Sequence, residues 1–122
     1  MIRGKFGTKF IIYPSDIYLF MITKKTPEEL AVLQEAGALL ARMLKEIAKE
    51  AVPGVSTLTL DDKAMEVAEK NNVVPILLGY HPTFAAHPYP AAVCVSVNNC
   101  VQHGIPSEAV VLEEGDVVNI DM

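Results

Sequence analysis

The stretch that decides the fold is the last part of the chain, residues 115–122, which reads Gly-Asp-Val-Val-Asn-Ile-Asp-Met. Glycine at 115 favours a tight turn, and the odd-numbered residues from 117 to 121 then share one face while Val118 and Ile120 share the other. This period of two predicts a β-strand that buries one face. It also places the Asp121 carboxylate at the end of an apolar strand, where it is either a turn aspartate that accepts backbone N–H bonds or a metal ligand.

Other short apolar pieces lie upstream of this strand. Val93–Val97, Cys100–His103 and Val110–Leu112 are each predicted to be strands, because apolar or β-branched residues recur between turn-forming residues. The last strand therefore has several candidate partners in an antiparallel sheet.

Two helices are predicted before the strands. Residues 26–29 read Thr-Pro-Glu-Glu, a capping box with proline in the first turn, and they open a helix of about 25 residues. Its inner stripe comprises Leu33, Gly37, Leu40, Leu44, Ile47 and Ala51. Gly37 in that stripe indicates close approach by a neighbouring element. A second helix is expected from Thr59 to about Asn71, and its inner face comprises Leu60, Ala64, Met65 and Ala68. Helices followed by strands predict an α+β fold with two helices packed on an antiparallel sheet.

Composition excludes several classes of protein. The 122 residues are 51% hydrophobic with a net charge of −5, which suits one folded domain and argues against a nucleic-acid partner. No apolar run is long enough to span a bilayer, so no membrane partner is expected. Cys94 and Cys100 form neither a disulfide framework nor a zinc ribbon, which favours a reducing, cytoplasmic location. Residues 1–21 are interpreted as an extension or leader, and residues 22–122 as the domain.

Besides Asp121, five side chains are candidates for chemistry. His103 stands between a strand and a Gly-Ile-Pro turn, where it either contacts a substrate or is a solvated rim histidine. Tyr80, Tyr89 and Cys94 could line an apolar pocket, with Phe84, or belong to an ordinary core. The spacing of the three histidines does not by itself make a metal site.

Taken together, the motifs resemble the amino-terminal half of type I methionine aminopeptidases, over residues 22–122. The segments that carry the resemblance are Lys25-Thr26-Pro27-Glu28-Glu29, Glu35-Ala36-Gly37, Pro53-Gly54-Val55-Ser56-Thr57, Leu60-Asp61, Gly79-Tyr80-His81, Tyr89-Pro90, Cys94-Val95-Ser96-Val97-Asn98, His103-Gly104-Ile105-Pro106 and Gly115-Asp116-Val117-Val118-Asn119-Ile120-Asp121. The resemblance implies half of a pita-bread (creatinase/aminopeptidase-like) fold. It also implies metal-dependent removal of the amino-terminal methionine from peptides and nascent proteins.

The same resemblance assigns roles to residues. Asp121 is similar to the first of five metal ligands, in a family that binds two divalent ions of the Mn, Fe, Co or Mg class. His103 is similar to the histidine that contacts substrate near the scissile bond, and Tyr80, Tyr89 and Cys94 are similar to walls of the methionine pocket.

Two departures from the family accompany these roles. The other four ligands have no counterpart in the sequence, so the chain is expected to be a truncated half that binds no metal stably and is inactive alone, with the missing half or self-association as partner. The loop from His81 to Tyr89 is also longer than in compact bacterial enzymes, and Leu77 replaces a pocket cysteine. The alternatives are a non-catalytic pita-bread binding module and a homodimerising half-domain.

Overall fold

The computed structural model describes residues 24–122. Their regular elements are helix α1 (Pro27–Ala48), helix α2 (Thr57–Lys70), strand β1 (Cys94–Val97) and strand β2 (Val118–Asp121). No helix in this part of the chain combines the length and apolar character needed to cross a membrane. The predicted extension or leader over residues 1–21 lies outside the described residues.

Helix α1 begins where the capping box predicts. The Glu29 backbone N–H donates to the Thr26 hydroxyl at 3.2 Å, and the Thr26 backbone N–H donates to the Glu29 carboxylate at 2.9 Å. Both bonds satisfy amides that the first helical turn leaves without partners. The helix runs for 22 residues, somewhat shorter than predicted.

Only the carboxyl-terminal half of α1 is packed within the described part of the chain. Met43 and Ile47 are buried, whereas Leu33 is 54% exposed and Leu40 is 36% exposed. The predicted continuous inner stripe is therefore wrong for the first half of the helix. The predicted close approach at Gly37 is also wrong, because a Cβ added there would meet no atom within 4 Å.

Helix α2 begins two residues earlier than predicted. Its cap is Ser56, whose hydroxyl accepts the Thr59 backbone N–H at 3.3 Å. Leu60, Ala64 and Ala68 are buried as expected. Met65, however, is 41% exposed, and Val67 takes its place in the core.

The two strands form an antiparallel pair that places Cys94 opposite Asp121 and Val97 opposite Val118. One face of this pair packs against the helices. The core between this face and the helices consists of Ile47, Leu60, Ala64, Ala92, Val93, Val95 and Leu112, with Val97, Val118 and Ile120 packed around it. The predicted α+β arrangement of two helices on an antiparallel sheet is confirmed, and so is the alternation along β2.

Two predicted strands are absent from the described residues. The segment Cys100–His103 cannot be extended, because Cys100 closes a turn onto the Val97 carbonyl and His103 has a φ of 55°. Val110–Leu112 contributes one antiparallel bridge, between Val111 and Ser56 in the connection between the helices. Backbone bonds flank this bridge, such as the one from the Leu112 N–H to the Val55 carbonyl at 2.9 Å, but no regular strand forms there. In the other segment, Val101 is 87% exposed.

Candidate active site

The sheet face that points away from the helices carries the polar side chains. It borders a polar hollow of about 280 Å³. The hollow is lined by Cys94, Ser96, Val101, Gln102, His103, Asn119, Ile120 and Asp121. Asp121 is exposed, yet it opens onto the same hollow as His103, so the structure brings the two predicted site residues together.

A docked backbone segment holds His103 beside the sheet. The Val95 N–H donates to the Gly104 carbonyl at 2.9 Å, and the Gly104 N–H donates to the Ser96 hydroxyl at 3.1 Å. A Cβ on Gly104 would collide with the Val95 carbonyl, so only glycine allows the two backbones to lie this close. The contact fixes the position of the preceding residue, the exposed His103.

His103 also has a strained backbone. Its φ of 55° lies in the left-handed region, which only about a few per cent of non-glycine residues occupy. Such residues cost on the order of 1–3 kcal/mol and cluster at functional sites. The docked Gly104 supplies the constraint, and the result is an imidazole presented at the hollow.

Tyr89 reinforces this docking. Its hydroxyl lies 3.1 Å from both the Val93 carbonyl and the Gly104 carbonyl, and it can donate to either. Burial comes first among the causes that raise the pKa of Tyr89 above its ordinary value of 10.0, followed by the nearby Cys94 thiol and carboxylates. The hydroxyl therefore remains a donor, and its hydrogen is used within the protein.

An apolar cavity of about 510 Å³ lies beside the polar hollow. Its walls are Leu77, Tyr80, Pro82, Phe84, Ala85, His87, Pro88, Tyr89, Pro90, Cys94, His103 and Ile105. All four residues predicted to contact substrate are among them. Cys94 and His103 line both spaces, so the apolar cavity and the polar hollow meet at these two residues.

A carboxylate outside both spaces holds the two residues that precede β1, and no sequence motif indicated this role. One oxygen of Asp61 on α2 accepts the N–H groups of Ala92 at 2.7 Å and Val93 at 3.2 Å. This fixes the residues next to Cys94. The available signal was a carboxylate within α2 that directly follows Leu60, a fully buried residue of that helix.

The donors at the hollow suit a hard divalent ion. Asp121 offers carboxylate oxygens, Asn119 and Gln102 offer amide oxygens, and His103 offers an imidazole nitrogen. Across residues 24–122, no three His, Cys, Asp or Glu side chains come together closely enough to hold a metal ion. Both cysteines are free thiols, and only Cys94 is buried.

Sequence comparison assigns the chain to a family. The sequence profile of metallopeptidase family M24 matches residues 31–122. The chain belongs to metallopeptidase family M24. Among its relatives, methionine aminopeptidase 1 of Mycobacterium tuberculosis is 42% identical over 101 residues, and methionine aminopeptidase of Escherichia coli K12 is 41% identical over 102 residues.

Solved structures of methionine aminopeptidases share the fold of this M24 chain. Methionine aminopeptidase from Thermotoga maritima superposes with a TM-score of 0.72 at 37% identity and covers 82% of this chain and 38% of that chain. The enzyme from Rickettsia prowazekii gives a TM-score of 0.73 at 33% identity. The predicted pita-bread resemblance is confirmed. The two curated relatives are matched over 83% of this chain, but the chain spans only 36% of their length.

Proposed function

We propose that this chain forms the amino-terminal, substrate-facing part of a methionine aminopeptidase, which hydrolyses the bond after an amino-terminal methionine. The observation that carries the proposal is the meeting of two spaces at Cys94 and His103. One is apolar and large enough for an apolar side chain, and the other is polar and is lined by Asp121. An exopeptidase that removes methionine needs an apolar space for the side chain and a polar space for the scissile peptide bond. The two spaces must lie within the length of one residue.

The apolar cavity binds the methionine side chain. Transferring such a side chain from water into an apolar site contributes about 1.5–3 kcal/mol. Tyr80, Tyr89 and Cys94 supply contact surface rather than charge, and the Tyr89 hydroxyl is already bonded to the backbone. The scissile peptide then lies where the cavity meets the hollow, beside His103. The exposed imidazole can accept from the peptide N–H or donate to its carbonyl.

Asp121 is proposed as a ligand of a divalent ion of the Mn, Fe, Co or Mg class. When bound, ions of this class act as Lewis acids that polarise a peptide carbonyl and lower the pKa of water. A carboxylate supplies at most two oxygens, whereas hard ions of this kind take about six ligands in an octahedral arrangement. We therefore infer weak metal binding and no turnover by residues 1–122 alone. Because both cysteines are free thiols, we also propose a cytoplasmic location for the activity.

The function is tested by substitution into a relative. Residues 22–122 replace the portion of the Escherichia coli methionine aminopeptidase that they match, and methionine release from a Met-Ala-Ser peptide is followed with Mn²⁺ or Co²⁺. The hybrid is expected to release methionine, and the 122-residue chain alone to release none.

The matched control in this assay is the hybrid with Asp121→Asn, which keeps the shape of the side chain and removes its charge. It is expected to lose at least about a hundredfold in rate, as when a residue that serves a metal site is removed. A folded hybrid that releases no methionine, or an Asp121→Asn hybrid of full activity, would contradict the proposal.

A second candidate is self-association through the side of α1 that is exposed among residues 24–122. Leu30, Val32 and Leu33 are each more than half exposed, and α1 forms an apolar groove of about 450 Å³ with residues 73–76 and Met122. Apolar surface of this kind favours contact with protein. Light scattering across a range of concentrations tests it, since self-association requires the molar mass to rise with concentration.

A further inference from the structure

The loop between Tyr80 and Tyr89 extends the apolar cavity beyond the part that a methionine needs. We propose that this outer part accepts amino-terminal side chains longer than methionine, and that Phe84 determines the preference by stacking on an aromatic end group. This inference rests on the proposed function, because it assumes that the amino-terminal side chain of a peptide enters the cavity beside His103.

The volume of the cavity is the first support. A methionine side chain has four non-hydrogen atoms and occupies on the order of 100 Å³, if each takes about the volume of a water molecule. The cavity measures about 510 Å³, within the range of roughly 300–1,000 Å³ that holds drug-sized ligands. A methionine that enters from the His103 end therefore leaves much of the cavity free.

The loop that encloses the remaining space is braced. At its base, the Gly79 N–H donates to the Tyr89 carbonyl and the Tyr89 N–H donates to the Tyr80 carbonyl, both at 2.8 Å. Near its tip, the Ala85 N–H donates to the Pro82 carbonyl at 3.0 Å, and the His81 Nε2 lies 3.0 Å from the Ala85 carbonyl. These bonds hold the outer wall of the cavity in place before a ligand arrives, which lowers the entropy lost on binding.

Phe84 stands in the turn that these bonds close. Its side chain is 90% exposed, although it is the most apolar side chain of the loop and lines the cavity. A large aromatic ring held in solvent beside an apolar cavity is available to a second ring, and aromatic pairs favour offset or edge-to-face contact. The position thus fits an aromatic group at the end of a long side chain.

The chemistry of the walls restricts the ligand to uncharged side chains. None of the residues that line the cavity is Asp, Glu, Lys or Arg. An ionised side chain that entered would lose water without gaining a partner, which is unfavourable. We therefore expect long apolar and thioether side chains to enter, and charged side chains of equal length to be excluded.

The test compares two ligands of the 122-residue chain that share a thioether. L-methionine amide ends in a methyl group, whereas S-benzyl-L-cysteine amide ends in a phenyl ring. Each is titrated into isotopically labelled protein, and Kd is taken from chemical shift changes. The benzyl compound is expected to bind about two- to tenfold more tightly, the gain typical of one aromatic pair. It should shift the resonances of Phe84 and His87, while both compounds shift those of Cys94 and His103.

The substitution Phe84→Ala is expected to bring the ratio of the two Kd values to about one. The matched control is Val117→Ala, which shortens a side chain that is 72% exposed and lines neither space. This variant should keep the wild-type ratio. Amide spectra of both variants establish that they are folded, as expected for substitutions at exposed positions.

The possible results distinguish a failure of the extended cavity from a failure of the proposed function. Equal affinity for the two amides overturns the extended cavity, and a gain that survives Phe84→Ala overturns the role of Phe84. Either result leaves the proposed function intact. If methionine amide shifts neither Cys94 nor His103, the proposed function fails and the inference fails with it.

Discussion

Replacing Gly104 with alanine is the sharpest test of how the site is assembled. The added Cβ would collide with the Val95 carbonyl and lie 2.8 Å from the Val95 carbonyl carbon. Backbone atoms on both sides are fixed, so no flexible side chain can yield. The segment that carries His103 must therefore move away from β1.

The size of the effect follows from the bonds that this movement breaks. They are the bond from the Val95 N–H to the Gly104 carbonyl, the bond from the Gly104 N–H to the Ser96 hydroxyl, and the contact of the Tyr89 hydroxyl with the same carbonyl. At about 1 kcal/mol each, their loss lowers the free energy of unfolding by about 2–3 kcal/mol. That is a large share of the total for a small domain, about 5–15 kcal/mol.

Urea unfolding followed by circular dichroism measures the change. With an m-value of about 1–3 kcal/mol/M, the midpoint should fall by about 0.7–3 M. The matched control is Gly37→Ala on α1, where a Cβ meets no atom within 4 Å. This substitution should stabilise the chain by about 0.5–1 kcal/mol, since alanine is the better helix former. An unchanged midpoint in Gly104→Ala would refute the tight docking of this segment.

Two further changes test the support of the sheet and its pH dependence. Asp61→Ala should lower the free energy of unfolding by about 2 kcal/mol, because two amides at the start of β1 lose their acceptor. Asp61→Asn, which keeps an oxygen there, should lose less, and equal losses would count against this role. The Glu113 N–H and then the Asn98 amide lower the pKa of Asp116 below its ordinary value of 3.8. A carboxyl group whose pKa is lower in the folded than in the unfolded state stabilises the fold at pH values above its unfolded-state pKa. This stabilisation is lost as the pH falls through the folded-state pKa. Asp116→Asn should therefore flatten the loss of stability that occurs as the pH falls from about 3.8 towards the lower folded-state pKa of this carboxyl, and an identical acid profile would contradict this.

Local rules predicted the elements whose signals lie within a few residues. The capping box at Thr26 marked the start of α1, and the alternation along residues 117–121 identified both faces of β2. Turn and cap chemistry and side-chain periodicity act over short distances, so the sequence alone displays them. Boundaries were less secure, as the earlier cap at Ser56 shows.

Contacts between distant parts of the chain could not be predicted in this way. The backbone of Gly104 docks on β1 and thereby forces His103 into a left-handed conformation, which no local pattern indicates. The exposure of the first half of α1 could not be predicted from its apolar stripe for a similar reason. An apolar stripe indicates that a surface can be buried, but not which element covers it.

The candidate site also combines features that local patterns predict with features that depend on distant contacts. Strand alternation placed Asp121 on the same face as Asn119, and the structure shows that this face lies opposite the core. The family resemblance selected Asp121, His103, Tyr80, Tyr89 and Cys94, which the structure gathers around two adjoining spaces. Asp61 received no role because its importance comes from amides about thirty residues away along the chain. Such a role depends on tertiary packing.

The binding position of a paramagnetic ion is the most direct test of Asp121 as a metal ligand. Mn²⁺ added in small amounts to the labelled 122-residue chain broadens the resonances of nearby residues even when its affinity is low. We predict broadening centred on Asp121, Asn119 and His103, and its loss in Asp121→Asn. Broadening that is spread over the acidic surface, or that persists unchanged in Asp121→Asn, would contradict the assignment of this carboxylate as a metal ligand beside the substrate cavity.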